Sequence, residues 1–184
     1  MAGDTRERIL DAAESIVIRD GVARLTVEAA AAEAQLSKGG VLYHFRTRDA
    51  LVSSMVERMV EAFDADLGVE CAADGQDGTP NGRYVRAYVR ATVRPAQTPE
   101  DLRRERAGAA ILAAMASEPQ LLAPLREAFD RWQQRLVTDG VDPVGATVAR
   151  LAADGLWLVE LFGFAPLPEP LRSEVAAYLE GLGR

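Results

Sequence analysis

Apolar residues recur along the chain at spacings of three and four. No run of alternating apolar and polar residues is long enough to make a strand. The pattern therefore predicts an all-α protein of about nine helices. The first helix carries Ile9, Ala13, Ile16 and Val17 on one face. Asp4, with Glu7 three residues on, resembles a capping box at its start, and Gly21 is placed to end it as a left-handed cap after Asp20. Thr26 reads as the N-cap of a short alanine-rich helix over 27–33, and Ser37 as the N-cap of a third helix reaching Phe45. Thr47 caps a long fourth helix over 48–67, with Leu51, Met55, Val56, Met59, Val60, Phe63 and Leu67 as its apolar stripe. Residues 72–82, rich in Gly, Asp and Pro, read as a loop. Helical patterns resume at 83–94, 99–116, 121–138, 143–163 and 169–182. Pro95, Pro99, Pro119, Pro143, Pro166, Pro168 and Pro170 punctuate them, as residues that cannot sit inside a helix.

The two short helices at 27–33 and 38–45, joined by a tight connection, match a helix-turn-helix. The expected division is a helix-turn-helix domain over 1–48 and a second helical domain over 49–184. The start of the later short helix, Ser37-Lys38-Gly39-Gly40, has a physical logic. A helix N-terminus offers unpaired N–H groups and a partial positive charge to a phosphate. Two glycines let a nucleic-acid backbone come close, and Lys38 adds a point charge at the same end. Tyr43 and His44 follow one turn later with polar tips that can reach phosphates or base edges. Each feature alone is more often an ordinary turn or core residue; their combination favours DNA.

Charge sharpens this picture. The 184 residues carry a net −7, with 48% hydrophobic and 27% charged residues, which describes a soluble globular chain. Residues 1–50 hold seven basic and eight acidic groups, yet the window 35–48 contains Lys38, Arg46 and Arg48 and no acid. Cys71 is the sole cysteine and His44 the sole histidine. No intrachain disulfide, no His-rich metal site and no Cys/His pair away from His44 can be built. There is no catalytic signature, so an all-helical enzyme is disfavoured, and no metal or cofactor is expected. No secretion signal or membrane-spanning stretch is legible, which points to the cytoplasm.

Several segments then resemble, in order and with the right gaps, the N-terminal domain of the tetracycline-repressor (TetR) family. They are Thr5 to Ala13 (TRERILDAA), Gly21, Leu25-Thr26-Val27, Leu36 to Phe45 (LSKGGVLYHF) and Thr47 to Leu51 (TRDAL). Asp154 to Leu161 also resembles one branch of the family's C-terminal domains. The resemblance implies a DNA-binding regulator, a repressor released by a small, largely apolar ligand. It implies DNA contacts from Thr26, Ser37, Lys38, Gly39, Gly40, Tyr43, His44 and Arg48. Two departures stand out. The family's turn usually reads Ala-Gly-Val, but here it is Ala34-Gln35-Leu36, so Gln35 must adopt the backbone that a glycine would. Leu42 takes the place where the family usually has tyrosine.

The second domain offers apolar residues for a core or a pocket. The resemblance implies that some line an effector cavity, and the candidates are Met59, Phe63, Tyr88, Met115, Phe129, Trp132 and Trp157. Glu105, Arg106, Asp154 or Glu160 are candidates for polar contacts there. Segment 156–164 (LWLVELFGF) is apolar nearly all round, and helix 169–182 adds Leu171, Val175, Tyr178, Leu179 and Leu182. Such an excess of apolar surface asks for a partner, so helices 143–163 and 169–182 are the expected homodimer interface. Phe162 and Leu179 are the positions where glutamate should give monomers. The expected partners are therefore double-stranded DNA with a palindromic operator, a second copy of the chain and an unidentified small effector. The alternative is a helical small-molecule-binding protein without sequence-specific DNA binding.

Overall fold

The computed structural model describes residues 2–74, 80–115 and 119–184, with no account of the side chains of Ala2, Gly3, Ala114, Met115 and Pro119. Among the described residues there are nine α-helices and two short 3₁₀ turns, at Val22–Arg24 and Pro119–Leu122. The helices are α1 (Ala2–Asp20), α2 (Val27–Glu33), α3 (Lys38–His44), α4 (Arg48–Asp74), α5 (Arg83–Val93), α6 (Pro99–Met115), α7 (Ala123–Val137), α8 (Pro143–Phe162) and α9 (Leu171–Gly181). They form two compact units. One comprises residues 1–60 and 97–126, the other residues 61–96 and 127–184, and α4 contributes to both.

In the first unit α1 packs on α2 and α6. Its core gathers Ile9, Leu10, Ile16, Leu25, Val41, Phe45, Leu51, Met55, Val56 and Ile111, all buried. Carboxylates along α1 fasten the neighbouring helices. Arg58 of α4 is bound by Glu7, Asp11 and Glu14, and Arg103 of α6 donates to the Asp11 carbonyl (2.9 Å) and the Ser15 hydroxyl (3.3 Å). Helix α1 begins at Ala2, ahead of the expected capping box, so Asp4 sits inside the first turn rather than capping it. There its charge still complements the N-terminal end of the helix dipole. Gly21 has φ 82° but ψ 159°, a region essentially reserved for glycine, so it turns the chain without being a left-handed cap.

In the second unit α5 is the central helix. Tyr84 to Val89 are all buried, and the helix packs against α8 and α9. The small inner face of α8 (Ala146, Ala149, Ala153) lets the two backbones approach closely. Asp139 caps α5 by accepting from the Tyr84 and Val85 amides at 2.7 and 3.0 Å. Gly82 precedes it with φ 71°, and a Cβ there would stand 1.8 Å from the Gly183 carbonyl, so only glycine fits. Helix α4 runs seven residues beyond the expected end at Leu67, so residues 72–74 are helical and not loop, while 75–79 lie outside the described residues. The extension is held by ion pairs of Glu70 and Asp74 with Arg90 and of Asp74 with Arg86.

Candidate nucleic-acid interface and ligand cluster

Helix α2 is capped by Thr26, whose hydroxyl accepts from the Ala29 amide at 3.0 Å. It ends in a Schellman motif: the Leu36 amide reaches the Ala31 carbonyl (2.9 Å) and the Gln35 amide the Ala32 carbonyl (3.1 Å). This geometry needs a left-handed residue, and Gln35 supplies it at φ 55°. A non-glycine residue held there costs on the order of 1–2 kcal/mol. Arg8 donates to the Ala34 carbonyl at 3.1 Å and ties the turn to α1. Ser37 then caps α3 by accepting from the Gly40 amide at 3.0 Å, and Thr47 caps α4 through the Ala50 amide at 3.1 Å. These caps explain why two such short helices keep fixed ends.

Val41 and Phe45 anchor α3 in the core. Its other face is open: Ser37, Lys38, Gly39, Leu42 and Tyr43 are exposed, and Tyr43 is 84% exposed. His44 is half-buried, with its ring edge-on to Tyr43 at 5.1 Å. Arg48 is half-buried and lies 3.3 Å from Asp49. The expected DNA-contacting residues thus fall at the N-cap of α2 (Thr26), at the N-cap of α3 (Ser37), on α3 itself and on the first turn of α4.

The sequence window is acid-free, but its surroundings are not. Lys38 Nζ sits 2.6 Å from Glu28 Oε1, in the first turn of α2. The hydrogen bond from Lys38 holds the Glu28 carboxyl below its ordinary range. Nothing in the window's composition could reveal this pair, because Glu28 lies ten residues upstream.

In the second unit, four of the expected ligand residues come together. Phe63 lies 5.4 Å from Tyr88 and 4.7 Å from Trp132, and Trp132 packs edge-on to Phe129 at 5.1 Å. Trp132 donates to Asp64 Oδ1 at 2.7 Å, and the Tyr88 hydroxyl to Asp154 Oδ1 at 2.8 Å. Arg150 reaches Asp154 Oδ2 (3.0 Å) and Gln133 Oε1 (2.6 Å) and lies over the Phe129 ring at 5.8 Å. Burial pushes the Asp154 carboxyl up, against the pull of Tyr88 and Arg150. Burial also pushes the Tyr88 hydroxyl up, with the Asp154 charge adding to it. Of the four polar candidates, Asp154 joins this cluster, whereas Glu160 is committed to Arg172 at 2.6 Å.

The remaining ligand candidates lie elsewhere. Met59 packs on the core of the first unit. Trp157 is half-buried on α8 and makes no ring contact with the four. The Met115 side chain lies outside the described residues. Asp64, Gln133 and Arg150 escaped sequence reasoning, because their partners lie between 4 and 68 residues away with no motif to mark them. Among the described residues no group of three His, Cys, Asp or Glu side chains is placed to hold a metal ion. No described helix is long and apolar enough to cross a membrane.

A capped helix-turn-helix with an open second helix, followed among the described residues by further helices and no strand, is the arrangement of a DNA-binding transcriptional regulator. Residues 9–55 match the model of bacterial regulatory proteins of the tetR family, and residues 82–184 match that of the tetracyclin repressor-like C-terminal domain. The chain belongs to the TetR family. The HTH-type transcriptional regulator SrpR of Pseudomonas putida is 33% identical over 73 residues, which are 38% of this chain and 34% of SrpR. The chain thus spans about a third of that relative. A transcriptional regulator of known structure from Rhodococcus sp. Rha1 is 21% identical, with a TM-score of 0.74, over 97% of this chain and 95% of its own, and shares the fold. The multidrug binding protein EbrR, solved in complex with ethidium, is 25% identical, with a TM-score of 0.68, over 95% of this chain and 98% of its own.

Proposed function

We propose that this regulator is a repressor that holds a palindromic operator as a homodimer and is released by a small, largely apolar effector. Residues 1–48 touch double-stranded DNA, residues 49–184 bind effector and partner subunit, and the protein works in the cytoplasm. The observation that carries the reading is the open face of α3, with both short helices fixed by hydroxyl caps and Tyr43 84% exposed. A helix held so firmly, yet left bare on one side, suits insertion into a major groove.

The Glu28–Lys38 pair is the direct probe of this reading. Lys38→Ala should weaken binding alike on all sequences and lower the salt slope by about one if Lys38 meets phosphate. If it reads guanine instead, discrimination at one position should fall by roughly 1–3 kcal/mol. Glu28→Gln should tighten binding, because Lys38 then meets DNA without giving up a partner. Gel shifts across a salt series measure both variants, and unchanged affinity and slope in both would reject the contact. The same pair is the one observation that favours a second reading, a helical ligand-binding protein without sequence-specific DNA binding. A wild-type protein that shifts no genomic fragment would favour that reading.

Rings at Phe63, Tyr88, Phe129 and Trp132, with Asp154 and Arg150 at their edge, support an aromatic effector. An effector releases DNA only if it binds the non-DNA conformation better. Coupling of about 1–3 kcal/mol would weaken operator binding roughly 5–150-fold, and operator must then weaken the effector equally. Calorimetry with ethidium as the probe, with and without operator, checks this. Equal affinity in both titrations rejects control at this site.

A further inference from the structure

The recognition helix has few of the side chains that read bases by hydrogen bonding. From Leu36 to Phe45 there is no Arg, Asn, Gln, Asp or Glu. Bidentate contacts to adenine and carboxylate contacts to cytosine therefore cannot come from α3, and Lys38 is its one candidate for guanine. The Ser37 hydroxyl accepts from the Gly40 amide, and Lys38 is paired with Glu28. The outward face consists instead of Gly39, Leu42 and Tyr43, spaced three and four apart on one side of the helix. Leu42 is 36% exposed, while Val41 and Phe45 hold the opposite side in the core. A Cβ at Gly39 would meet nothing nearer than the Ser37 hydroxyl at 3.9 Å, so the space one turn before Leu42 is open. An isolated exposed leucine is ordinary on a protein surface. One on the outward face of a recognition helix, one turn after the open Gly39, has a narrower use. The major-groove group that an aliphatic side chain reads is the C5-methyl of thymine.

We infer that Leu42 determines operator specificity by packing against a thymine C5-methyl in each half-site. This rests on the DNA-binding reading above and names what that face reads. The operator is first recovered from a random duplex pool by repeated binding and amplification. Each thymine is then replaced by deoxyuridine, which lacks only the methyl group. One thymine position per half-site should be enriched. Deoxyuridine there should weaken the wild-type protein about fourfold per methyl, or roughly fifteenfold when both half-sites are changed. Leu42→Ala, with the wild-type salt slope as proof of an intact interface, should bind thymine and uracil operators alike. Wild-type binding indifferent to every thymine methyl overturns the inference. So does a loss that persists undiminished in Leu42→Ala. Retention of duplexes with no enriched sequence also overturns it but leaves DNA binding standing. Retention of no duplex even at low salt overturns the DNA-binding reading, and this inference with it.

Discussion

Asp74→Asn should lower the free energy of unfolding by about 3 kcal/mol at neutral pH. Breaking a buried ion pair on one side leaves an uncompensated charge inside the protein. Arg86 is itself buried on the central helix, donating to both Asp74 oxygens (Nη2–Oδ2 2.6 Å), to the Asn81 carbonyl and to the Gly183 carbonyl. Asp74, only 8% exposed, also meets Arg90 at 2.5 Å. The Arg86 guanidinium holds the Asp74 carboxyl down at about 2, against burial and with help from Arg90. A depressed carboxyl stabilises fully above its unfolded value near 3.8, and that stability is lost as pH falls through 3.8 toward 2. The loss amounts to about 2 kcal/mol. Urea unfolding at fixed protein concentration, at pH 7 and along a series down to pH 2, measures both effects. The variant should unfold earlier at pH 7, and its deficit should shrink in acid. A deficit below 1 kcal/mol at pH 7, or one that grows in acid, would refute this role for Asp74.

That network also shows where sequence reasoning stops. The starts of α2 and α3 were legible because Thr26 and Ser37 act on amides three residues away. The strain at Gln35 was legible because it stands where the turn wants glycine. The end of α4 was not, because the partners of Asp74 and Glu70 lie 12 to 20 residues onward in the chain. The ring cluster was half legible. Helical spacing marked Phe63, Tyr88, Phe129 and Trp132 as apolar, but it could not say that they meet or that Met59 belongs to another core. Leu179 exposes the same limit. Periodicity grouped it with the partner-facing residues, yet it is 4% exposed within a single chain, so glutamate there would damage the fold itself.

Leu151→Glu with Tyr178→Glu is therefore the variant that should separate the subunits without unfolding them. Helix α8 has two apolar faces. The inner one, Ala146, Ala149, Ala153 and Leu156, is buried. The outer one, Val144, Val148, Leu151, Gly155 and Leu158, is exposed, with Val144 at 70% and Leu151 at 56%. Spacings of four, three, four and three along that face match the seam of a helix pair. Leu171, Val175 and Tyr178 continue the pattern on α9, where Tyr178 is 70% exposed. Two copies of these faces would close a four-helix bundle about a two-fold axis, the symmetry that the proposed palindromic operator requires. Since neither side chain is packed in the protomer core, the double variant should melt close to the wild-type temperature at low concentration. Light scattering should report monomers for the variant and dimers for the wild type at micromolar concentration. Operator affinity should fall by a hundredfold or more, because two linked half-site contacts gain about 10²–10⁴ over one. A wild-type chain that stays monomeric at that concentration, or a double variant that remains a dimer and binds operator normally, would show that this face does not join the subunits.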